Sequence, residues 1–334
     1  MKASAAQLPL AFSYGPRNVV LFSGGHSSAL VAVEVVRKYG RDGTVLLNHD
    51  INASVEHEDI KRFKREVAAA LGLPITYANH RNFDTMDQFD VCRKARAFKT
   101  PKGYEVCTSR LKTGPFMEWL DVHGDRACTV CYYGFDAAET TRINRRVGIM
   151  AALGWRTEYP LAHWPRTIQS TREIGVEPPN TYSAWKHANC VGCLKAGWQH
   201  WFAVYATRPD IWQRAKDAED DIGYSIHREL TLEERESEFA DMVRAGVVPT
   251  EHVPQQTFWS EARKAVKHLR VLADDESAKP CECVFRKTRP ALPPPCTCLA
   301  ARGEGHALGC ARVMGDDPRE AAAADALGAD RRAA

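Results

Sequence analysis

The residues best suited to chemistry fall in three places. Ser23-Gly24-Gly25-His26-Ser27-Ser28 follows the apolar run Val19, Val20, Leu21 and Phe22 and precedes a helical pattern over 29–39. Small residues let backbone N–H groups approach an oxyanion, and the helix start behind them adds donors, so this turn suits a nucleotide phosphate. An ordinary strand-to-helix turn draws on the same residue types. Cys107 opens a helical pattern over 107–120 beside Arg110 and Lys112. Cationic neighbours and a helix N-terminus lower a thiol pKa, which suits a nucleophile or a metal ligand. Cys190-Val191-Gly192-Cys193 is a Cys-x-x-Cys ahead of an aromatic helix over 197–205. Its spacing suits a cluster, a zinc ion or a redox dithiol, with inert thiols as the alternative.

Composition bounds the setting of these residues. The 334-residue chain carries 45 Lys and Arg against 42 Asp and Glu, a net charge of +3, so it lacks the global basic signature of a polyanion-wrapping protein. A nucleic-acid partner would need a local patch, and Arg93, Lys94, Arg96, Lys99, Lys102, Arg110 and Lys112, opposed by Glu105, form one. No apolar run has the length of a membrane span, and residues 1–16 lack a signal peptide's basic start and apolar core. A cytoplasmic protein without membrane contact is expected. Eleven cysteines, most of them in Cys-x-Cys or Cys-x-x-Cys pairs, then point to metal, cluster or redox use ahead of disulfides.

The elements that must position these groups alternate. Strand patterns at 19–22, 44–49, 74–78 and 127–134 are separated by helical patterns at 29–39, 55–71 and 107–120, which predicts an α/β fold with a doubly wound, mostly parallel sheet. The first two strands end at Ser23 and at Asn48-His49-Asp50-Ile51-Asn52, so Asp50 shares the carboxyl edge with the Ser-Gly-Gly turn. There it suits a ribose or a metal, or serves as a plain turn residue. The fourth strand leads into Glu139, Arg142, Arg145 and Arg146. Residues 80–106 read as irregular. Helical patterns follow at 209–221, 232–245 and 256–273.

Together, Ser23–Ser28, Asp50, Cys107-Thr108-Ser109-Arg110-Leu111-Lys112 with Pro115, Gly134-Phe135-Asp136 with Glu139 and Arg142, and Tyr159-Pro160-Leu161 resemble the phosphoadenosine-phosphosulfate (PAPS) reductase family. That family belongs to the PP-loop, adenine nucleotide α-hydrolase-like superfamily. The resemblance covers roughly residues 17–225, in order. It implies an adenine nucleotide, ATP or PAPS, with Mg²⁺ accompanying ATP. Ser23, Gly24, Gly25, His26, Ser27, Ser28, Asp50, Arg110, Lys112, Glu139 and Arg142 would form the nucleotide site. It also implies a [4Fe–4S] cluster on Cys107, Cys190 and Cys193, the same three thiols being the catalytic candidates. Three thiolates leave one iron without a protein ligand, with Cys128 or Cys131 as a candidate fourth.

The chain departs from the family's pattern twice. Ser27 stands where the pyrophosphatase form of the loop carries Asp, and His26 where it often carries Lys, which points away from Mg²⁺-dependent ATP cleavage. No C-terminal Glu-Cys-Gly-Ile/Leu-His segment of the reductases is present. The implied activity is therefore PAPS reductase-like sulfur or redox chemistry, with ATP-dependent thiolation of DNA, tRNA or a nucleotide as one alternative. A silent nucleotide- or nucleic-acid-binding module is the other. A sulfur or electron donor protein and a homo-oligomer are the expected partners.

The expected divisions are a flexible leader (1–16), the nucleotide-binding domain (17–225), a helical extension (226–274), a Cys-rich segment (275–314) and a disordered tail (315–334). In the Cys-rich segment Cys281, Cys283, Cys296 and Cys298 suit a zinc knuckle, with Cys310 or His306 as substitutes.

Overall fold

The computed structural model describes residues 16–188 and 190–276. Nearly all of the leader, the four zinc-knuckle cysteines and the tail lie outside the described residues. The chain divides into two compact units, one ending at Lys195 and the other beginning at Ala196.

The first unit is built on five parallel strands. β1 (Asn18–Leu21) leads through α1 (His26–Tyr39) to β2 (Thr44–Asn48), and α2 (Glu58–Leu71) leads to β3 (Ile75–Tyr77). α3 (Gln88–Ala95), a one-turn α4 (Val106–Thr108), a π-helical turn (Ser109–Thr113) and α5 (Gly114–His123) precede β4 (Val130–Tyr132). A short 3₁₀ turn, α6 (Thr140–Ala152), β5 (Arg156–Glu158) and α7 (Pro160–His163) complete the alternation. The spatial order is β3-β2-β1-β4-β5, with Val20 opposite Leu46 on one side and Tyr132 on the other. The order therefore reverses between β1 and β4. At such a switch point the loops leaving the two strands diverge, and a crevice opens at the carboxyl edge.

Strand alternation sorts the side chains onto two faces. Val20, Leu46 and Tyr132 pack with Val31, Val35, Phe63 and Val67 of α1 and α2. Val19, Leu47, Cys131 and Tyr133 pack with Phe116, Leu120, Ile143 and Met150 of α5 and α6. Helices thus cover both faces, which is why the central strands read as unbroken apolar runs. Gly40 and Gly72, with positive φ of 83° and 65°, end α1 and α2.

Two expectations change. Residues 80–106, read as irregular, contain α3, started by a reciprocal capping box between Asp87 and Asp90. The fourth strand is shorter than expected, so Cys128 lies in the turn before β4, where its thiol bonds Asp125 at 3.4 Å. Cys131 does lie in β4, fully buried in the apolar cluster against α5 and α6.

The second unit is helical through residue 276: α8 (Trp198–Thr207), α9 (Pro209–Ile222), α10 (Leu232–Arg244) and α11 (Gln255–Glu276). Phe202, Trp212, Phe239 and Phe258 form its aromatic core. Glu219 accepts the N–H groups of Ile226 and Leu232, both at 2.7 Å, and so ties α9 to the start of α10. Burial pushes its carboxyl up to about 7, although those two bonds favour the anion. A raised carboxyl pKa stabilises the fold below the unfolded value and loses that contribution as pH climbs through the folded one. Unfolding of this unit should therefore become easier between about pH 4.5 and 7. Denaturant titrations of Glu219→Gln should show that slope flattened.

No helix among the described residues is long and apolar enough to cross a membrane.

Candidate functional site

The loop after β1 is shaped by what lies beneath it. Gly24 has φ +85° and is buried, and a Cβ there would stand 2.8 Å from Cγ of Lys64 and 2.9 Å from Cγ2 of Ile60. Glycine is thus required by backbone conformation and by space together. α1 begins at His26, earlier than expected, so Ser27 and Ser28 belong to its first turn. Ser27 is exposed, whereas Ser28 turns inward, donating to the Gly25 carbonyl at 2.8 Å and accepting from the Ser23 hydroxyl at 3.3 Å. Gly25 caps the helix without a side-chain acceptor, which leaves first-turn donors for an anion. The His26 N–H instead donates to the Tyr182 hydroxyl at 2.9 Å, while the His26 ring accepts the Thr171 N–H at 3.3 Å. Burial and then Arg172 hold the His26 pKa below its ordinary value, so this ring is a neutral strut.

The loop after β4 touches the same turn. A Cβ on Gly134 would meet the Ser28 backbone nitrogen at 3.0 Å, which fixes the two sides of the switch point against each other. Gly134→Ala should separate them at a cost of about 1–3 kcal/mol, read from a lowered urea midpoint. Glu139 and Arg142 form an ion pair with each other. Glu139 also accepts the Asp136 N–H at 3.0 Å, and Arg142 stacks over Phe135 at 4.4 Å. Asp50 lies exposed at the β2 end, its carboxylate 2.7 Å from Nζ of Lys61.

Beneath both lies a buried polar network. Lys64, 1% exposed, donates to both Glu56 carboxylate oxygens at 3.0 and 2.8 Å and to Asn48 Oδ1 at 3.2 Å. Asn48 in turn donates to the Phe22 carbonyl, and Lys61 bridges Glu56 and Asp50. Burial holds the Lys64 pKa below its ordinary value, with Glu56 opposing that shift. Lys64 and Glu56 were not among the expected site residues. The signal was present, because Lys64 interrupts the apolar stripe Ile60, Phe63, Val67 and Leu71 at a core position.

The thiols gather around Lys112. Its ammonium lies 3.9 Å from the Cys190 sulfur. The neighbouring Cys190 sulfur first, then those of Cys193 and Cys107, raise its pKa against burial. Lys112, expected at the phosphates, thus has its ammonium at the thiols. The π-helical turn that carries it and Arg110 widens the helix at this point, as such turns do at functional sites. Cys107 hydrogen-bonds with Cys92, which lowers the Cys107 pKa, and Lys112 and Lys195 add to the effect. Burial raises the thiols of Cys190 and Cys193, with Lys112 opposing. Beside Lys112, His49 is pushed down to about 4, chiefly by burial, while its ring contacts the Ala78 carbonyl at 2.6 Å. It is therefore uncharged at neutral pH.

The loop of Cys190 and Cys193 is tied to the rest of the site through its backbone. The Val191 N–H donates to the Val55 carbonyl at 2.8 Å, next to Glu56 in the chain. Cys92 is fully buried and was not singled out by the sequence. Cys128 and Cys131, the expected candidates for a fourth ligand, lie in the turn before β4 and in the core.

The donor chemistry, several thiols around one ammonium, fits a thiophilic metal or cluster. Among the described residues no three His, Cys, Asp or Glu side chains stand at the spacing of a preformed metal site. No family model, curated protein or solved structure matches the chain.

Proposed function

We propose that the chain is an enzyme of the PAPS reductase family, with a PP-loop fold, that binds an adenine nucleotide and performs thiol- or iron–sulfur-dependent sulfur or redox chemistry. The observation that carries the proposal is the pairing of two features in one unit. A glycine-dependent loop lies at the sheet's switch point, and a thiol group around Lys112 is tied by Val55 to the segment whose Glu56 pairs the lysine under that loop. Ser23, Gly24, Gly25 and Ser27 would present backbone and hydroxyl donors to the phosphates, and Asp50 would face the sugar.

Cys107, Cys190 and Cys193 would hold a [4Fe–4S] cluster, whose chemistry is electron supply or binding of a sulfur atom. The protein's own part is to keep Lys112 protonated beside these sulfurs. Its charge favours thiolate over thiol and stabilises negative charge as it develops on a sulfonyl or sulfide group. The test is turnover. PAPS with a reduced dithiol donor should yield sulfite, and Cys107→Ser should abolish it. Binding of PAPS or ATP without turnover in the unsubstituted protein would leave the silent-module reading.

A second reading, ATP-dependent sulfur transfer to DNA, tRNA or a nucleotide, is favoured by one surface feature. Lys94, Arg96, Lys99 and Lys102 are exposed on the segment that leads from α3 to Cys107. Contacts from these four to phosphates would give a log–log salt slope of about −3 to −4, measurable by titrating a fluorescent oligonucleotide. Replacing all four by Gln should flatten that slope while leaving PAPS binding unchanged.

A further inference from the structure

We propose that Tyr182 competes with a nucleotide phosphate for the first amide of α1, so that residues 177–188 form a strap that must lift for the phosphate to bind. The inference rests on the reading above that the Ser23–Ser28 loop takes the phosphates, and it adds how entry to that loop is controlled.

Two contacts place the strap on the loop. The Tyr182 hydroxyl accepts the N–H of His26, the first residue of α1, at 2.9 Å. A Cβ on Gly25 would meet the same hydroxyl at 3.5 Å and the Ala188 methyl at 3.6 Å, so the strap passes directly over the loop's second glycine. An anion approaching these donors meets a neutral hydroxyl already bonded there. A phosphate oxygen makes a charge-assisted bond to the same amide, about twice as strong as a neutral one, and can displace the tyrosine. An uncharged nucleoside has no such advantage.

The segment is built in two halves that are held differently. Residues 167–176 are fixed. Glu34, 3% exposed, accepts the N–H groups of Thr167 and Ile168 at 2.6 and 3.2 Å and the Thr167 hydroxyl at 2.9 Å. Ile168 and Val176 pack into the apolar cluster with α1 and α2. The His26 ring accepts the Thr171 N–H at 3.3 Å, so His26 is seated on this half by its ring and on the other by its backbone.

Residues 177–188 are held by polar contacts. Asp59 accepts the Asn180 N–H at 2.6 Å, Arg62 donates to the Glu177 carbonyl at 3.3 Å, and Tyr182 takes the His26 amide. Thr181 buries its hydroxyl with no hydrogen-bond partner among the described residues, a desolvation cost that lifting relieves. Gly175, at φ 77°, lies just before the boundary between the two halves. Lifting the second half therefore leaves α1, His26 and the first half in place.

Calorimetric titration of the full chain with ATP, PAPS and adenosine, for the unsubstituted protein and Tyr182→Phe, should be paired with hydrogen–deuterium exchange over residues 167–188. Tyr182→Phe keeps the ring and removes only the competing oxygen. It should tighten nucleotide binding by about 2–10-fold, the size of one net hydrogen bond, without tightening adenosine. In the unsubstituted protein the nucleotide should raise exchange in 177–188 and not in 167–176, and Tyr182→Phe should raise it there without nucleotide. Equal or weaker nucleotide binding by Tyr182→Phe, equal tightening of adenosine, or exchange in 177–188 that nucleotide leaves unchanged or lowers would overturn the competition while the nucleotide reading stands. No binding of ATP or PAPS by either protein would overturn both.

Discussion

Gly24→Ala should abolish adenine-nucleotide binding and destabilise the first unit. Two separate costs add. The residue holds φ +85°, where an L side chain loses about 1–2 kcal/mol against the following carbonyl. The added carbon would also stand 2.8 to 2.9 Å from Lys64 and Ile60. The contacted Lys64 carbons belong to a side chain pinned at its far end by Glu56 and Asn48, so it yields poorly, and overpacking of this kind costs about 1–3 kcal/mol more. Relief comes only by lifting the loop, which moves Ser23 and Gly25 away from the phosphate position. Calorimetric titration with ATP and PAPS, together with a urea midpoint, measures both effects. Gly25→Ala is the informative contrast, because a Cβ there would meet nothing closer than 3.5 Å and the fold should be little disturbed.

Glu56→Gln should cost about 3–5 kcal/mol, the range for removing one partner of a buried ion pair. Lys64 is 1% exposed, and the two Glu56 oxygens are its only anionic contacts within 3.2 Å among the described residues. The deficit should shrink as pH rises. A lysine whose folded pKa lies below its unfolded one is penalised while charged, and the penalty is relieved as it deprotonates. Glu56→Gln combined with Lys64→Met should recover most of the loss, since an apolar pair of similar volume is often no worse than the ions it replaces. Urea unfolding of the two single variants and the double variant closes the cycle. Full additivity of the two single losses would contradict the pairing.

Much of this architecture could be read from residue patterns because its causes are local. The parallel sheet followed from apolar runs alternating with amphipathic helices, and the Ser23–Ser28 turn from its position between the two. Asp50 at the β2 edge needed only the strand's end. What escaped depends on contacts between distant residues. α3 is eight residues long, and its basic residues hid a buried face of Gln88, Phe89 and Cys92. Periodicity is weakly expressed over two turns. Cys92 meets Cys107 only because residues 97–106 double back, and no spacing rule encodes that return. Lys112 looked like a phosphate ligand from its charge and its neighbour Arg110. A π-helical turn, which no residue pattern announced, carries it where its ammonium reaches Cys190.

Everything proposed for the site depends on the switch-point loop binding an adenine nucleotide beside a thiol group that can react. The most direct measurement is anaerobic calorimetric titration of the full chain with PAPS and, separately, with ATP, repeated for Gly24→Ala. One site per chain is expected for at least one of the two nucleotides, lost in Gly24→Ala and retained in Cys128→Ser. Absence of binding for both nucleotides, or binding that survives Gly24→Ala unchanged, would contradict it.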